Sequence, residues 1–155
     1  MTARLLILGL GNPLMGDDGA GPAVIALVNA STLPPGVRAE EGGTDVLNLP
    51  NLLRGEREVW IVDAMVRGAA PGTIHVLEHD AVLSLGEEPQ HAHHISAAVG
   101  IRWMLESLPE LRDLRVRLFG IEPEWVGPSP RLRPGVERGV RGLAAELARR
   151  AASRF

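Results

Sequence analysis

The chain has 155 residues, 45% hydrophobic and 23% charged, with a formal net charge of −3. This is the balance of an ordinary globular protein with its own core, and it excludes a disordered chain and a broad basic nucleic-acid surface. There is no Cys, and all 16 basic residues are Arg, which excludes a disulfide framework, a thiol nucleophile, and lysine Schiff-base or Walker-type chemistry. Three Trp and two Phe make a poor base-stacking platform. No stretch reaches the ~18 apolar residues in a row of a membrane span. The short run after Arg4 stops at a Gly-Leu-Gly-Asn-Pro turn signal, so it reads as the first buried strand of a cytoplasmic protein rather than as a signal peptide.

Residues 5–10 form a continuous apolar run bounded by Gly, the pattern of a strand covered on both faces. A loop over 11–16 follows. Asp17 and Asp18 then open a helix that runs through Val28, with Pro22 in its first regular turn. Residues 37–41 predict a short strand, and Thr44 or Asp45 caps a short helix over 46–53. Residues 58–65, with Val59, Trp60, Ile61 and Val62, predict a second buried strand, and 73–77 a third. Apolar residues at helical spacing predict a helix over 94–108. Residues 114–121 predict another strand and 136–152 an amphipathic closing helix. Strands alternating with helices imply one α/β unit spanning 1–155, with a largely parallel sheet and helices on both faces.

In such sheets ligands bind beyond the carboxyl ends of the strands. One strand runs into the acidic loop of Asp17 and Asp18, and another ends at Asp63. An aspartate after Trp60-Ile61-Val62 either caps a turn through its backbone or is held by a partner or a cation. The cluster Gln90-His91-Ala92-His93-His94 precedes a predicted helix, whose N-terminus favours neutral, metal-ligating imidazole. Two carboxylates and one imidazole suit a borderline divalent metal. The Gly-rich loop is a poor phosphate cradle, because Leu14 stands where the third glycine of G-x-G-x-x-G belongs and two acids follow.

The run Gly9-Leu10-Gly11-Asn12-Pro13-Leu14-Met15-Gly16-Asp17-Asp18-Gly19-Ala20-Gly21 resembles the opening motif of the endopeptidases that mature the large subunit of nickel–iron hydrogenases. Gly42-Gly43-Thr44, Asp63-Ala64 with Gly68, Pro71-Gly72-Thr73, His93 before the apolar Ile95, and Phe119-Gly120-Ile121-Glu122-Pro123 extend the resemblance, in order, along nearly the whole chain. It implies a three-layer α/β/α sandwich with a twisted, mostly parallel sheet of about five strands. It also implies removal of a C-terminal extension from the precursor of the large subunit after nickel insertion. Asp18, Asp63 and His93 are the implied metal-contacting and catalytic residues, with nickel carried by the substrate rather than resident. The first acidic ligand is often Glu in that family and is Asp18 here. The residue before the family histidine is commonly Ser, Thr or Pro and is Ala92 here, so His91 and His94 stand beside His93 as alternatives, as Asp17 stands beside Asp18.

Two other readings compete. One is a non-catalytic metal-binding or assembly module on the same fold. The other is a peptidyl-tRNA hydrolase-like esterase, since that family also opens on a strand and Gly-Leu-Gly-Asn-Pro. This chain, however, has no Tyr and no His before His75, and its acidic loop suits tRNA poorly.

Overall fold

The apolar runs without polar alternation form the middle of a five-stranded sheet. A computed structural model describes residues 4–85 and 96–154. The strands are β1 (Leu5–Gly9), β2 (Val37–Glu41), β3 (Glu58–Ala64), β4 (Ile74–Leu77) and β5 (Arg115–Ile121), in the order β2-β1-β3-β5-β4. β1 and β3 are parallel neighbours with Leu6 opposite Val59, and every residue of β1 is buried. β2 and β5 also run parallel to their neighbours, whereas β4 lies antiparallel on the edge beside β5. The segment between β3 and β4 is too short for the crossover that a parallel strand needs, so β4 turns straight back.

Side chains alternate between two cores, because successive strand residues face opposite ways. On one face Leu5, Ile7, Trp60, Val62 and Phe119 pack under α1 (Ala20–Ala30) and α5 (Pro134–Ser153). The Trp60 and Phe119 rings meet edge-on at 5.9 Å between centroids, a favoured aromatic geometry. On the other face Leu6, Leu8, Val59, Ile61, Val116 and Leu118 pack under α2 (Leu49–Leu52), α3 (His79–Ser84) and α4 (Ala97–Ser107). The architecture is three-layer α/β/α. No helix among the described residues is long and apolar enough to cross a membrane.

Local chemistry sets the element ends. Asp45 accepts a hydrogen bond from Leu47 N at 2.9 Å and caps the turn that leads into α2. Ser96 caps α4 by accepting from Val99 N at 3.2 Å, and Pro134 occupies the first turn of α5, where a missing N–H costs nothing. One boundary and one element differ from the sequence expectation. Asp17 and Asp18 lie in a single 3₁₀ turn, Gly16–Gly19, and the α-helix begins only at Ala20. The helix α3 has no counterpart in the expectation, because six residues are too few to show helical periodicity. The predicted start of the 94–108 helix lies outside the described residues.

The chain leaves β1 toward β2 on one side and returns through β3 on the other, so the strand order reverses between β1 and β3. That crevice is where open α/β sheets bind ligands. Gly21 lets α1 begin directly over it, since a Cβ there would stand 2.2 Å from Leu10 O and 2.7 Å from Val62 O.

Candidate functional site

The loop after β1 folds back on itself at Gly11, whose φ of 133° is closed to ordinary L-residues. A Cβ at Gly11 would lie 1.9 Å from Asp18 O, so the fold-back depends on glycine. It brings Asn12 N within 2.8 Å of Asp18 Oδ2. Asn12 in turn accepts from Leu14 N at 2.9 Å, an Asx-turn that shapes the loop. Asp18 is thereby held half-buried beyond the carboxyl end of β1. Among the described residues its second oxygen takes no hydrogen bond.

Asp63 occupies the next-to-last position of β3, opposite Gly120 of β5. Burial, and after it the negative charge of Asp18, pushes the Asp63 carboxyl from its ordinary 3.8 up to about 7. The N–H of Ala64 works against both influences and is outweighed. Two carboxylates that share a site cannot both ionise freely unless a cation joins them. Asp18 is thus near enough to Asp63 for its charge to bear on it at the crevice. His93, with the alternatives His91 and His94, lies outside the described residues. Among the described residues no three His, Cys, Asp or Glu side chains are grouped to hold a metal ion.

Asp17 does different work. Its side chain is fully buried, Oδ2 accepting from Glu124 N (2.8 Å) and Trp125 N (2.9 Å), and Oδ1 from Arg133 N (2.8 Å). Asp17 N also donates to Trp125 O, and Gly16 N to Ser129 O. These bonds tie the loop after β1 to the loop after β5, so Asp17 is a clamp and no substitute for Asp18.

Sequence reasoning missed Glu122. This buried residue follows β5 and accepts from Arg67 N at 2.8 Å and Ala69 N at 2.6 Å, fixing the turn just after Asp63. His75 Nε2, a buried atom, stands 3.6 Å from Glu122 Oε1 and has no hydrogen-bond partner among the described residues. The signal that singles out Asp63, an acid at the carboxyl end of a buried strand, applies equally to Glu122 and could have found it.

The fold is thus a three-layer α/β/α sandwich, with Asp18 and Asp63 beyond the carboxyl ends of β1 and β3 at its switch point. A family model described as hydrogenase maturation protease matches residues 22–150. The matched span includes Asp63 and His93 and begins just after Asp18. The hydrogenase 2 maturation protease of Escherichia coli is 30% identical over 138 residues, covering 86% of this chain and 82% of that protein. The hydrogenase expression/formation protein HoxM of Azotobacter vinelandii is 38% identical over 84 residues, covering 53% of this chain and 41% of the relative. The [NiFe] hydrogenase maturation protease HybD from Thermococcus kodakarensis superposes with a TM-score of 0.78 at 28% identity, covering 96% of this chain and 99% of that one. The chain belongs to the hydrogenase maturation protease family. It is by that membership an endopeptidase, a hydrolase that acts in protein processing.

Proposed function

We propose that the protein removes the C-terminal extension from the precursor of a nickel–iron hydrogenase large subunit, in the cytoplasm, and that nickel already inserted in the precursor is its recognition element. Asp18, Asp63 and His93 receive that metal. The feature that carries the reading is the placement of Asp63 at the carboxyl end of β3, beside the β1 loop that holds Asp18, where burial and the Asp18 charge push its carboxyl up. A pair of acids held together by the fold, with their mutual charge uncompensated, gains most when a divalent cation docks. Nickel then displaces the proton from Asp63, and the precursor is gripped only once loaded. Discrimination comes from this difference in affinity between loaded and empty precursor. Water cleaves the peptide bond, and the chain's lack of Cys leaves no thiol route to an acyl-enzyme.

The test is incubation with nickel-loaded and nickel-free precursor, followed by mass measurement of the large subunit. A cut confined to the loaded form supports the reading. Equal cutting of both forms, or tight binding of loaded precursor without a cut, would overturn it.

A further inference from the structure

The turn that leaves β3 beyond Asp63 is held by one carboxylate. Met65 N still donates to Ile121 O, and Gly72 N donates to Glu122 O. Between these two ties the Arg67 and Ala69 N–H groups both go to the side chain of Glu122. Val66, Arg67 and Gly68 are exposed, and a Cβ on Gly68, at φ 77°, would meet no atom within 4 Å. On the sheet below, Asp63 pairs with Gly120 of β5 and Gly120 with His75 of β4, so Asp63, His75 and, two residues past Gly120, Glu122 belong to one face. His75 Nε2 is buried without a partner, 3.6 Å from Glu122 Oε1. That oxygen already accepts from Arg67 N at 2.8 Å and Ala69 N at 2.6 Å, which fills its two acceptor positions. An apolar side chain at position 75 would avoid the cost of an unpaired buried nitrogen. A second arrangement accounts for the imidazole: when Arg67 N and Ala69 N leave for water, Nε2–H donates to the vacated oxygen, and the buried carboxylate is not stranded.

We propose that His75 is a positioning residue, a reserve donor that takes over Glu122 when the Arg67–Ala69 turn opens to admit the precursor beside Asp63. Nε2–H is available in the imidazolium and in one neutral tautomer, so the exchange of partners needs no change of protonation. Asp63 stays in place during the opening, because its strand pairing with β5 runs through Ala64 and only the chain beyond Met65 moves. His75 touches no reacting atom and acts through Glu122 alone. The inference rests on the endopeptidase reading for what enters; the two arrangements of the turn belong to the chain itself.

The experiment compares the full chain with His75→Leu, which fills the space without a donor, and His75→Gln, which keeps one. Hydrogen exchange of the Arg67 and Ala69 amides, followed by NMR without substrate, reads the opening. In His75→Leu exchange at these two amides should slow about ten-fold, the scale of one hydrogen bond to a charged group, while Tm rises because the unpaired nitrogen is gone. His75→Gln should restore exchange toward the wild-type rate. With loaded precursor, His75→Leu should raise KM by about the factor by which exchange slows, since the admitting form is rarer by that factor, and His75→Gln should bring KM back. If His75 merely braced the closed turn, His75→Leu would lower Tm and speed exchange. That result, unchanged exchange, no rescue by Gln, or a KM that does not follow exchange would each overturn the proposal. If exchange behaves as expected but the wild-type chain cuts no precursor, the reserve donor stands and the endopeptidase reading falls.

Discussion

Replacing Asp63 by Asn removes a charge that the folded protein holds at a cost. The amide keeps an oxygen for the Ala64 N–H and nearly the same size, so packing and turn geometry persist. Between pH 3.8 and about 7 the folded protein retains a proton on Asp63 that the unfolded chain has released. Wild-type stability therefore falls as pH rises through that window and levels off above it, because the native state binds more protons there. At about 1.4 kcal/mol per pH unit, the full gap corresponds to up to about 4 kcal/mol. Asp63→Asn lacks this dependence. Its advantage over wild type should be near zero at pH 4 and should grow to a few kcal/mol by pH 8, a rise in Tm of roughly 8–16 °C for a chain of this size. Urea or thermal unfolding of both proteins from pH 4 to 8.5 measures it, and cleavage of loaded precursor is assayed on the same samples. The expected pair of results is a more stable protein that no longer processes precursor. A stability difference that does not vary with pH would refute the electrostatic argument. Near-normal cleavage would return Asp63 to the role of a turn cap.

Asp17→Ala should cost more than about 3 kcal/mol, because three backbone N–H groups lose a charged acceptor in a buried setting, whereas Asp18→Ala should change unfolding free energy by less than about 1 kcal/mol, since it loses one partly exposed hydrogen bond and relieves a repulsion. Asp18→Asn should lower the Asp63 pKa from about 7 while leaving it above 3.8, because burial is the larger cause and the Asp18 charge the smaller; carbon-detected NMR titration of the Asp63 carboxyl reads this directly. His93→Ala should abolish processing of loaded precursor with no change in Tm, and an equal loss in His94→Ala or His91→Ala instead would reassign the imidazole.

The centre of the fold is legible in the sequence because β1 and the middles of β3 and β5 are buried on both faces, and residues so placed read as continuous apolar runs. The acid after such a strand is legible for the same reason, and this is how Asp63 stands out. What the sequence hides are features whose cause lies elsewhere in the chain. Glu122 is buried because Arg67 N and Ala69 N need an acceptor, a need set by a turn more than fifty residues away. The division of labour between Asp17 and Asp18 is equally hidden. The two are chemically identical neighbours, and only the approach of the 124–133 loop decides which is closed off. The antiparallel direction of β4 follows from the length of one connection, which hydrophobic patterning does not report.

Asp17, Asp18, Asp63 and Glu122 stand near the carboxyl edge of this sheet, and hydrogen-bond supply sorts them into two kinds. Asp17 and Glu122 each have both oxygens engaged by backbone N–H groups, so their charge is satisfied where it sits and their task is to hold loops. Asp18 has one bonded oxygen, and Asp63 has a charge that burial and Asp18 together oppose. A buried acid with full supply stabilises a fold, whereas one with short supply costs it unless something arrives to complete the set. The clamps make the deficit durable: Asp17 fixes the loop on one side of the crevice and Glu122 the turn on the other, so Asp18 and Asp63 cannot relax apart to reduce their repulsion. On the proposed function, that rigidity is what would turn an electrostatic liability into affinity for the precursor's metal, at the switch point where open α/β sheets bind ligands.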